Sequence, residues 1–164
     1  MARWILKEEP DHYSWADLVR DGTTRWDGVH NALALRHLRS MAAGDEALFY
    51  HTGTERAAVG VVEVVSAPRP DPDDPRSSWS VDIRPVRPLR RSIGLAELKA
   101  DPSLAGIDLI RLPRLSVVPV PGAVWDRILR HEGRSPPSTI RATRVGSRPA
   151  PSPRRRGTST RRRR

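Results

Sequence analysis

Residues 25 to 31 read RWDGVHN, and this stretch decides how the rest of the chain is interpreted. Trp26 supplies a large aromatic plane, Asp27 a carboxylate and Asn31 an amide, and Gly28 frees the backbone to turn between them. Apolar residues with helical spacing follow, so that Asn31 begins a helix. A pocket for a planar, hydrogen-bonding ligand requires this combination. The same residues also suit a core tryptophan, a turn and a helix N-cap.

The excess positive charge lies at the C-terminal end. The chain has 164 residues and a formal net charge of +10, but residues 134–164 hold 11 arginines and no acidic residue, which leaves −1 for residues 1–133. Residues 134–164 also hold hardly any bulky apolar side chains, so they cannot bury enough surface to offset the chain entropy lost on folding. We therefore predict a folded domain at 1–133 and a disordered basic tail at 134–164. The tail should bind phosphates without reading sequence.

The residue content disfavours several classes of protein. There is no cysteine, so disulfides and thiolate chemistry are absent. The five histidines show no metal-ligand spacing and no glycine-rich phosphate loop appears, so we expect neither a metal nor a cofactor. Without an apolar run of membrane-spanning length or a signal pattern, we expect a cytoplasmic protein with no membrane partner. These patterns do not indicate an oligomeric state.

Hydrophobic periodicity and turn signals predict an α+β fold of short elements. Ser14 and Asp17 have the spacing of a helix capping box. A segment that we call the proline loop, residues 67–78, contains four prolines and should have no regular structure. The predicted strands are 3–6, 47–51, 57–65, 79–86 and 115–120. The predicted helices follow Ser14, Asn31 and Gly94, and a closing helix has Pro121 at its first position.

A series of motifs, in this order, resembles the EVE domain family. The series runs through nearly all of the predicted folded part, which makes it more specific than any single motif. Its members are Trp4-Ile5-Leu6-Lys7-Glu8-Glu9-Pro10, Tyr13-Ser14, Trp26-Asp27-Gly28-Val29-His30-Asn31, Gly44-Asp45, Phe49-Tyr50-His51, Val59-Gly60-Val61-Val62-Glu63-Val64 and Arg114-Leu115-Ser116-Val117. The sequence departs from the usual family pattern at Glu8, His30 and Ala32, where the family has serine, arginine and an aromatic residue.

The resemblance implies a PUA-like fold, a small and mostly antiparallel β-barrel with short flanking helices, related to the YTH and ASCH domains. It also implies a module, without catalysis, that binds nucleic acid carrying a modified base in DNA or RNA. Methylcytosine, hydroxymethylcytosine and methyladenine are the candidate bases. By the same resemblance Trp26 stacks on the base, Asp27 and Asn31 bond its edge, and Trp79 forms another wall.

Further residues are candidates from their positions alone, each with a structural alternative. Lys7 and Glu8 end the first strand and either line the pocket or face solvent, and Tyr50 and His51 end a strand at the pocket rim or pack in the barrel. The candidate phosphate-binding residues are Arg114, Ser116, Arg161, Arg162, Arg163 and Arg164, with surface solubility as their alternative.

Two other functions fit the sequence. One is an ASCH-like hydrolase acting on a modified nucleoside, with Lys7 as nucleophile and Glu8 as general base. The other is a general RNA-binding accessory protein that binds through the tail and whose pocket is vestigial.

Overall fold

A computed structural model describes residues 1–135, so nearly all of the predicted tail, including Arg161, Arg162, Arg163 and Arg164, lies outside the described residues. Seven strands form the sheet: β1 (Arg3–Glu8), β2 (Thr24–Trp26), β3 (Glu46–His51), β4 (Ala57–Val64), β5 (Arg69–Pro70), β6 (Trp79–Gly94) and β7 (Val117–Pro119). The helices are α1 (Trp15–Asp21), α2 (Ala32–Arg39), α3 (Leu95–Ala100), α4 (Asp108–Arg111) and α5 (Gly122–Glu132), with a 3₁₀ turn at Pro102–Leu104.

The strands form one curled sheet, a half-barrel, in the order β2-β6-β4-β3-β1-β7, with β5 paired to the edge of β6. Every pairing is antiparallel except the parallel pairing of β1 with β3. This arrangement confirms the predicted α+β class and its mostly antiparallel sheet. The parallel register places Lys7 opposite Tyr50 and Glu8 opposite His51. Since side chains alternate along a strand, these two pairs face opposite sides of the sheet.

Phe49, in the middle of β3, is the centre of an aromatic cluster. Its side chain is fully buried, and its ring centroid lies 5.9 Å from that of Trp15, 6.0 Å from that of Trp26 and 5.7 Å from that of His51. The Trp26 and His51 rings meet Phe49 edge to face, a geometry worth about 0.5–1.5 kcal/mol per pair beyond area burial. The cluster therefore joins α1 and the edge strand β2 to the centre of the sheet.

The start of α1 is fixed by the capping box that the sequence predicts. The Ser14 hydroxyl accepts a bond from the Asp17 backbone N–H, and the Asp17 carboxylate accepts from the Ser14 N–H. The helix then lays Trp15 directly over Gly60 of β4. A Cβ at position 60 would lie 2.3 Å from the indole of Trp15, so this close approach requires glycine.

The closing helix α5 is tied to α3 by a charged cluster. Both ring nitrogens of His131 contact carboxylates, Glu97 at 3.1 Å and Asp101 at 2.9 Å. Arg91 also binds Glu97, and Arg127 binds Asp101, which holds the pKa values of both carboxyls below their ordinary range. Trp125 and Ile128 of α5 are buried in the core, as their helical spacing predicts.

Two differences from the sequence prediction involve prolines. The proline loop is not wholly irregular, because Arg69–Pro70 forms the two-residue strand β5; Pro70 is tolerated there since β5 is an edge strand. Strand β6 does not end near Val86 but continues past Pro85 and Pro88 to Gly94. Breaks in the β4 and β6 register lie beside the partners of both prolines, and such irregularities accommodate residues that cannot donate to a ladder.

Within residues 1–135, no helix combines the length and the apolar character needed to cross a bilayer.

We expect the Gly60→Ala variant to unfold at a lower denaturant concentration, with a loss of about 1–3 kcal/mol, because the new methyl group collides with the ring of Trp15. Gly106→Ala is the matched control, since a Cβ there meets nothing within 4 Å. Urea unfolding of both variants checks this, and equal stability of the two would contradict the packing of Trp15 on β4.

Candidate nucleic-acid interface

A cavity of about 360 Å³ opens where β1 ends and β2 ends, and we call it the Trp26 cavity. The edge strand β2 places Trp26 and Asp27 on one side of it, and the end of β1 with the following turn supplies the other side. Its lining residues are Glu8, His12, Tyr13, Thr24, Arg25, Trp26 and Asp27. The cavity therefore combines two aromatic rings with two carboxylates, a histidine, a hydroxyl and a guanidinium.

Trp26 is both a core residue and a wall of this cavity. It is only 4% exposed, pairs with Val81 of β6 and packs its ring against Phe49. Its indole Nε1–H is buried and has no hydrogen-bond partner within the described residues. A buried donor without a partner is unfavourable by about 1–3 kcal/mol.

The charges beside Trp26 interact with one another. Glu8 accepts hydrogen bonds from the Glu9 backbone N–H and contacts His12 Nδ1 at 3.0 Å. This bond and the charge of Glu8 raise the pKa of His12, with a smaller contribution from Asp27. The pKa of Asp27 is itself raised, mainly because surrounding protein displaces water from its carboxylate and secondly because Asp71 is a like charge nearby.

The proline loop is fastened to the RWDGVHN stretch. Arg25 donates to Asp71 at 3.3 Å and to Asp73 at 2.5 Å. His30 lies between Asp74 and Arg76 of the loop. In addition, the buried hydroxyl of Ser78 donates to the Val29 carbonyl. Charge pairs and a buried hydrogen bond therefore hold the loop beside the Trp26 cavity.

Asn31 lies at the N-terminus of α2, as the sequence predicts. Its side-chain oxygen accepts from the backbone N–H groups of Leu33 and Ala34 at 3.1 and 3.0 Å. Asn31 is not among the residues that line the Trp26 cavity, and its observed contacts are those of an N-cap. Gly28, between Trp26 and Asn31, has a φ of +71°, a conformation that favours glycine, which agrees with the predicted turn.

Trp79 begins β6 two residues before Val81, the partner of Trp26, but it does not line the Trp26 cavity. The guanidinium of Arg39, at the end of α2, lies 4.5 Å from the centroid of the Trp79 ring. Such a cation–π contact stabilises the packing of α2 against β6. The structure thus gives Trp79 a packing contact outside this cavity.

A second cavity, of about 380 Å³, lies on the other side of β1, and we call it the Lys7 cavity. Lys7 and Tyr50, which are opposite each other in the parallel ladder, both line it. The remaining lining residues come from the turn after β3 and from the helical segments that follow β6, namely Thr52, Gly53, Arg56, Leu95, Lys99, Leu109 and Pro113.

The predicted site residues are therefore divided between two cavities. Glu8, Trp26 and Asp27 line one, while Lys7 and Tyr50 line the other. The sequence prediction grouped them in one pocket, whereas the structure divides them, because consecutive residues of a strand point to opposite faces. Lys7 and Glu8 consequently do not share the cavity that a nucleophile and general base would need.

His51 has a structural role at the end of β3. Its Nε2 accepts from the backbone N–H of Trp15, at 3.0 Å, which leaves Nδ1 as the donor to Glu55 at 2.8 Å. Both ring nitrogens are thus engaged within the protein, and they hold α1 and the Thr52–Arg56 turn against β3. His51 is 7% exposed and lines neither cavity.

The two predicted phosphate-binding residues of the folded part lie near the Lys7 cavity. Arg114 is exposed and follows Pro113, whose carbonyl accepts a bond from Lys7 Nζ at 2.9 Å. Ser116 accepts from the Lys7 backbone N–H through its carbonyl. Their contact with phosphate stays a prediction, as does that of Arg161, Arg162, Arg163 and Arg164, which lie outside the described residues.

Sequence reasoning missed several lining residues. His12 and Thr24 of the Trp26 cavity were not selected, although His12 follows Glu8 by four residues across Pro10, a spacing that allows contact through a turn. Arg56 and Lys99 of the Lys7 cavity were also missed. No local signal marks those two, since only the fold brings the Thr52–Arg56 turn and α3 to the end of β1.

Comparison with known proteins identifies the family. The family model described as the EVE domain matches residues 2–131. The chain belongs to the EVE domain family. Human thymocyte nuclear protein 1 is a relative with 32% identity over 170 residues, which cover 82% of this chain and 76% of that protein.

Solved structures agree with this assignment. A crystal structure of human thymocyte nuclear protein 1 in complex with 5-methylcytosine-containing DNA superposes with a TM-score of 0.76 at 30% identity, covering 83% of this chain and 100% of that one. The YTH domain of the MRB1 protein of Zygosaccharomyces rouxii, solved with N6-methyladenosine RNA, has a TM-score of 0.50 at 18% identity, covering 80% and 86% of the two chains. At that identity the second likeness bears on the fold alone, and it confirms the PUA-like architecture of this EVE domain.

Among residues 1–135 no group of three or more His, Asp or Glu side chains is placed to hold a metal ion.

We expect Asn31→Ala to lower the free energy of unfolding by about 1 kcal/mol, because two N–H groups of α2 lose their acceptor. Asn31→Asp should retain wild-type stability, since aspartate caps equally well while removing the amide donors. Chemical denaturation measures both. If the alanine variant were as stable as the wild type, the cap would contribute nothing, and the observed role of Asn31 would be wrong.

Proposed function

We propose that the Trp26 cavity binds a methylated cytosine base of a nucleic acid and that the protein is a non-enzymatic binding module. The observation that carries this proposal is the lining of the cavity, where Trp26 and Tyr13 lie beside the carboxylates of Glu8 and Asp27. It is supported by the family membership and by the relative that has been crystallised with 5-methylcytosine DNA.

The polar groups of the cavity suit the edge of cytosine. The exocyclic amino group of cytosine is a hydrogen-bond donor, and Asp or Glu is its usual acceptor in proteins. Glu8 and Asp27 provide carboxylates, and the hydroxyl of Thr24 is a donor for an acceptor atom of the ring. The methyl group adds apolar area, worth about 0.8 kcal/mol when fully buried, or about fourfold in affinity.

A base reaches such a cavity only when it is out of the helical stack. Unstacking and unpairing are unfavourable by a few kcal/mol in a duplex and by less in a single strand. Stacking on aromatic side chains stabilises the bound base by about 1–3 kcal/mol. The proposal therefore predicts tighter binding to single strands or to mismatched sites than to a fully paired duplex.

The basic tail supplies affinity that does not depend on sequence. Residues 1–133 have a net charge of −1, whereas residues 134–164 carry 11 arginines. Because phosphate neutralisation releases counterions, tail binding weakens steeply with salt. We propose that the tail holds the strand while the Trp26 cavity tests one base at a time.

The hydrolase alternative is not favoured by the structure. It requires Lys7 and Glu8 in one site, and they line different cavities on opposite faces of the sheet. The binding experiment below distinguishes the base-binding proposal from the alternative of a general RNA-binding accessory protein.

The decisive experiment measures binding of the full chain to single-stranded and duplex oligonucleotides of DNA and RNA at fixed salt. Each is made with cytosine, methylcytosine, hydroxymethylcytosine or methyladenine at one position. We expect preference for methylcytosine, and we expect Asp27→Ala to weaken that binding by about tenfold, within the 1–3 kcal/mol typical of a base-edge contact. Asp11→Ala, an exposed site outside the cavity with the same change of charge, is the control.

Removing residues 134–164 tests the proposed role of the tail. The shortened chain should bind every oligonucleotide more weakly and with a smaller salt dependence, while the ratio between modified and unmodified strands is retained. Equal binding of the full chain to all oligonucleotides, unaffected by Asp27→Ala and abolished by the truncation, would contradict the base-binding proposal and favour the accessory function.

A further inference from the structure

The Lys7 cavity is distinguished by its charge. Lys7, Arg56 and Lys99 line it, and no carboxylate is among its lining residues. At two other cavities an arginine is paired with a carboxylate, as Arg25 is with Asp71 and Arg127 with Asp101. Three cations around one concave surface without a counter-charge in the lining create a positive potential that attracts anions.

Lys7 keeps donors for a ligand. Its ammonium group donates to the Pro113 carbonyl at 2.9 Å, which occupies one of its three N–H groups. Burial lowers its pKa, and no nearby carboxylate counteracts that effect. An anion in the cavity would provide the missing opposite charge and would favour the charged form of Lys7.

Tyr50 and Thr52 add neutral donors. Tyr50 is 3% exposed, and no hydrogen bond within residues 1–135 reaches its hydroxyl. Burial raises its pKa to about 12, although the charge of Arg56 opposes this, so the phenol stays protonated and able to donate near neutral pH. Arg56 itself uses its Nε on the Gly53 carbonyl, at 3.1 Å, which leaves its terminal nitrogens for other acceptors.

We propose that the Lys7 cavity binds a phosphate group. Phosphate is an anion with several acceptor oxygens, which matches a cavity that offers only donors from its charged and hydroxyl side chains. Two sources supply this chemistry: a backbone phosphate of a bound strand, or a free phosphate or phosphate ester. The cavity lies across β1 from the base site, because Lys7 and Glu8 are consecutive residues that face opposite sides of the sheet.

The test uses the full chain with Lys99→Gln, because Lys99 is exposed on α3 and its replacement leaves the core intact. Arg130→Gln, exposed on α5 and outside both cavities, is the control with the same change of charge. The first measurement is the salt dependence of binding to a methylcytosine oligonucleotide. The second is the rise in melting temperature caused by inorganic phosphate, compared with chloride at equal ionic strength.

If a backbone phosphate occupies the cavity, Lys99→Gln lowers affinity for modified and unmodified strands equally and reduces the salt slope by about one, while Arg130→Gln does not. If a free phosphate or phosphate ester is the ligand, phosphate raises the melting temperature of the wild type and the control but not of Lys99→Gln, and the salt slope is unchanged. Either result supports the site. No effect of Lys99→Gln on either measurement overturns it.

Different results contradict the phosphate-site proposal and the base-site proposal. Equal affinity of the wild type for modified and unmodified strands contradicts the base proposal, whatever effect Lys99→Gln has on affinity or on the salt slope. An unchanged salt slope and no response to inorganic phosphate contradict the phosphate proposal, even where methylcytosine is preferred.

Discussion

The edge-to-face packing of Trp26 against Phe49 is the contact on which the rest of the structure depends. Phe49 is fully buried at the centre of β3, and the ring of Trp26 meets it at 78° with centroids 6.0 Å apart. Removing a buried phenylalanine typically destabilises a protein by about 3–5 kcal/mol. Here the same ring also positions Trp15 and His51, so it fixes α1, the edge strand β2 and one wall of the candidate base site together.

The parallel pairing of β1 with β3 explains how one small domain carries two chemically different cavities. Alternation along these strands sends Glu8 to the face that holds Phe49 and Trp26, and sends Lys7 with Tyr50 to the other face. One cavity consequently collects aromatic rings and carboxylates, and the other collects cations and hydroxyls. Separation by the sheet keeps carboxylates out of the lining of the cationic cavity, so its charges remain available for a ligand.

Much of the local structure could be predicted because local rules determine it. The capping box at Ser14, the cap at Asn31 and the helical stripe of α5 depend on neighbours within four residues, and each is observed. The importance of Trp26 also followed from its neighbours in the sequence, and the order of family motifs indicated the fold. The base-binding role of Trp26 remains a proposal.

The arrangement of the candidate site was less predictable because it depends on distant segments. The division of Lys7 from Glu8 follows from strand parity, which requires the strand boundaries and the pairing with β3 to be known. The attachment of the proline loop rests on pairs such as Arg25 with Asp73, and the Lys7 cavity needs Lys99 from α3. These contacts join segments far apart in the chain, and no periodicity in the sequence reports them.

The measurement that tests the central claim most directly is the NMR signal of the indole Nε1–H of Trp26 during titration with a methylcytosine oligonucleotide. The indole ring that carries this N–H lines the cavity, so a base that stacks on the ring should shift its resonance strongly. The indole of Trp125, which belongs to α5 and is buried in the core, is an internal reference that should not move. Shifts confined to other residues, with the Trp26 signal unchanged at saturation, would contradict the assignment of this cavity to the base.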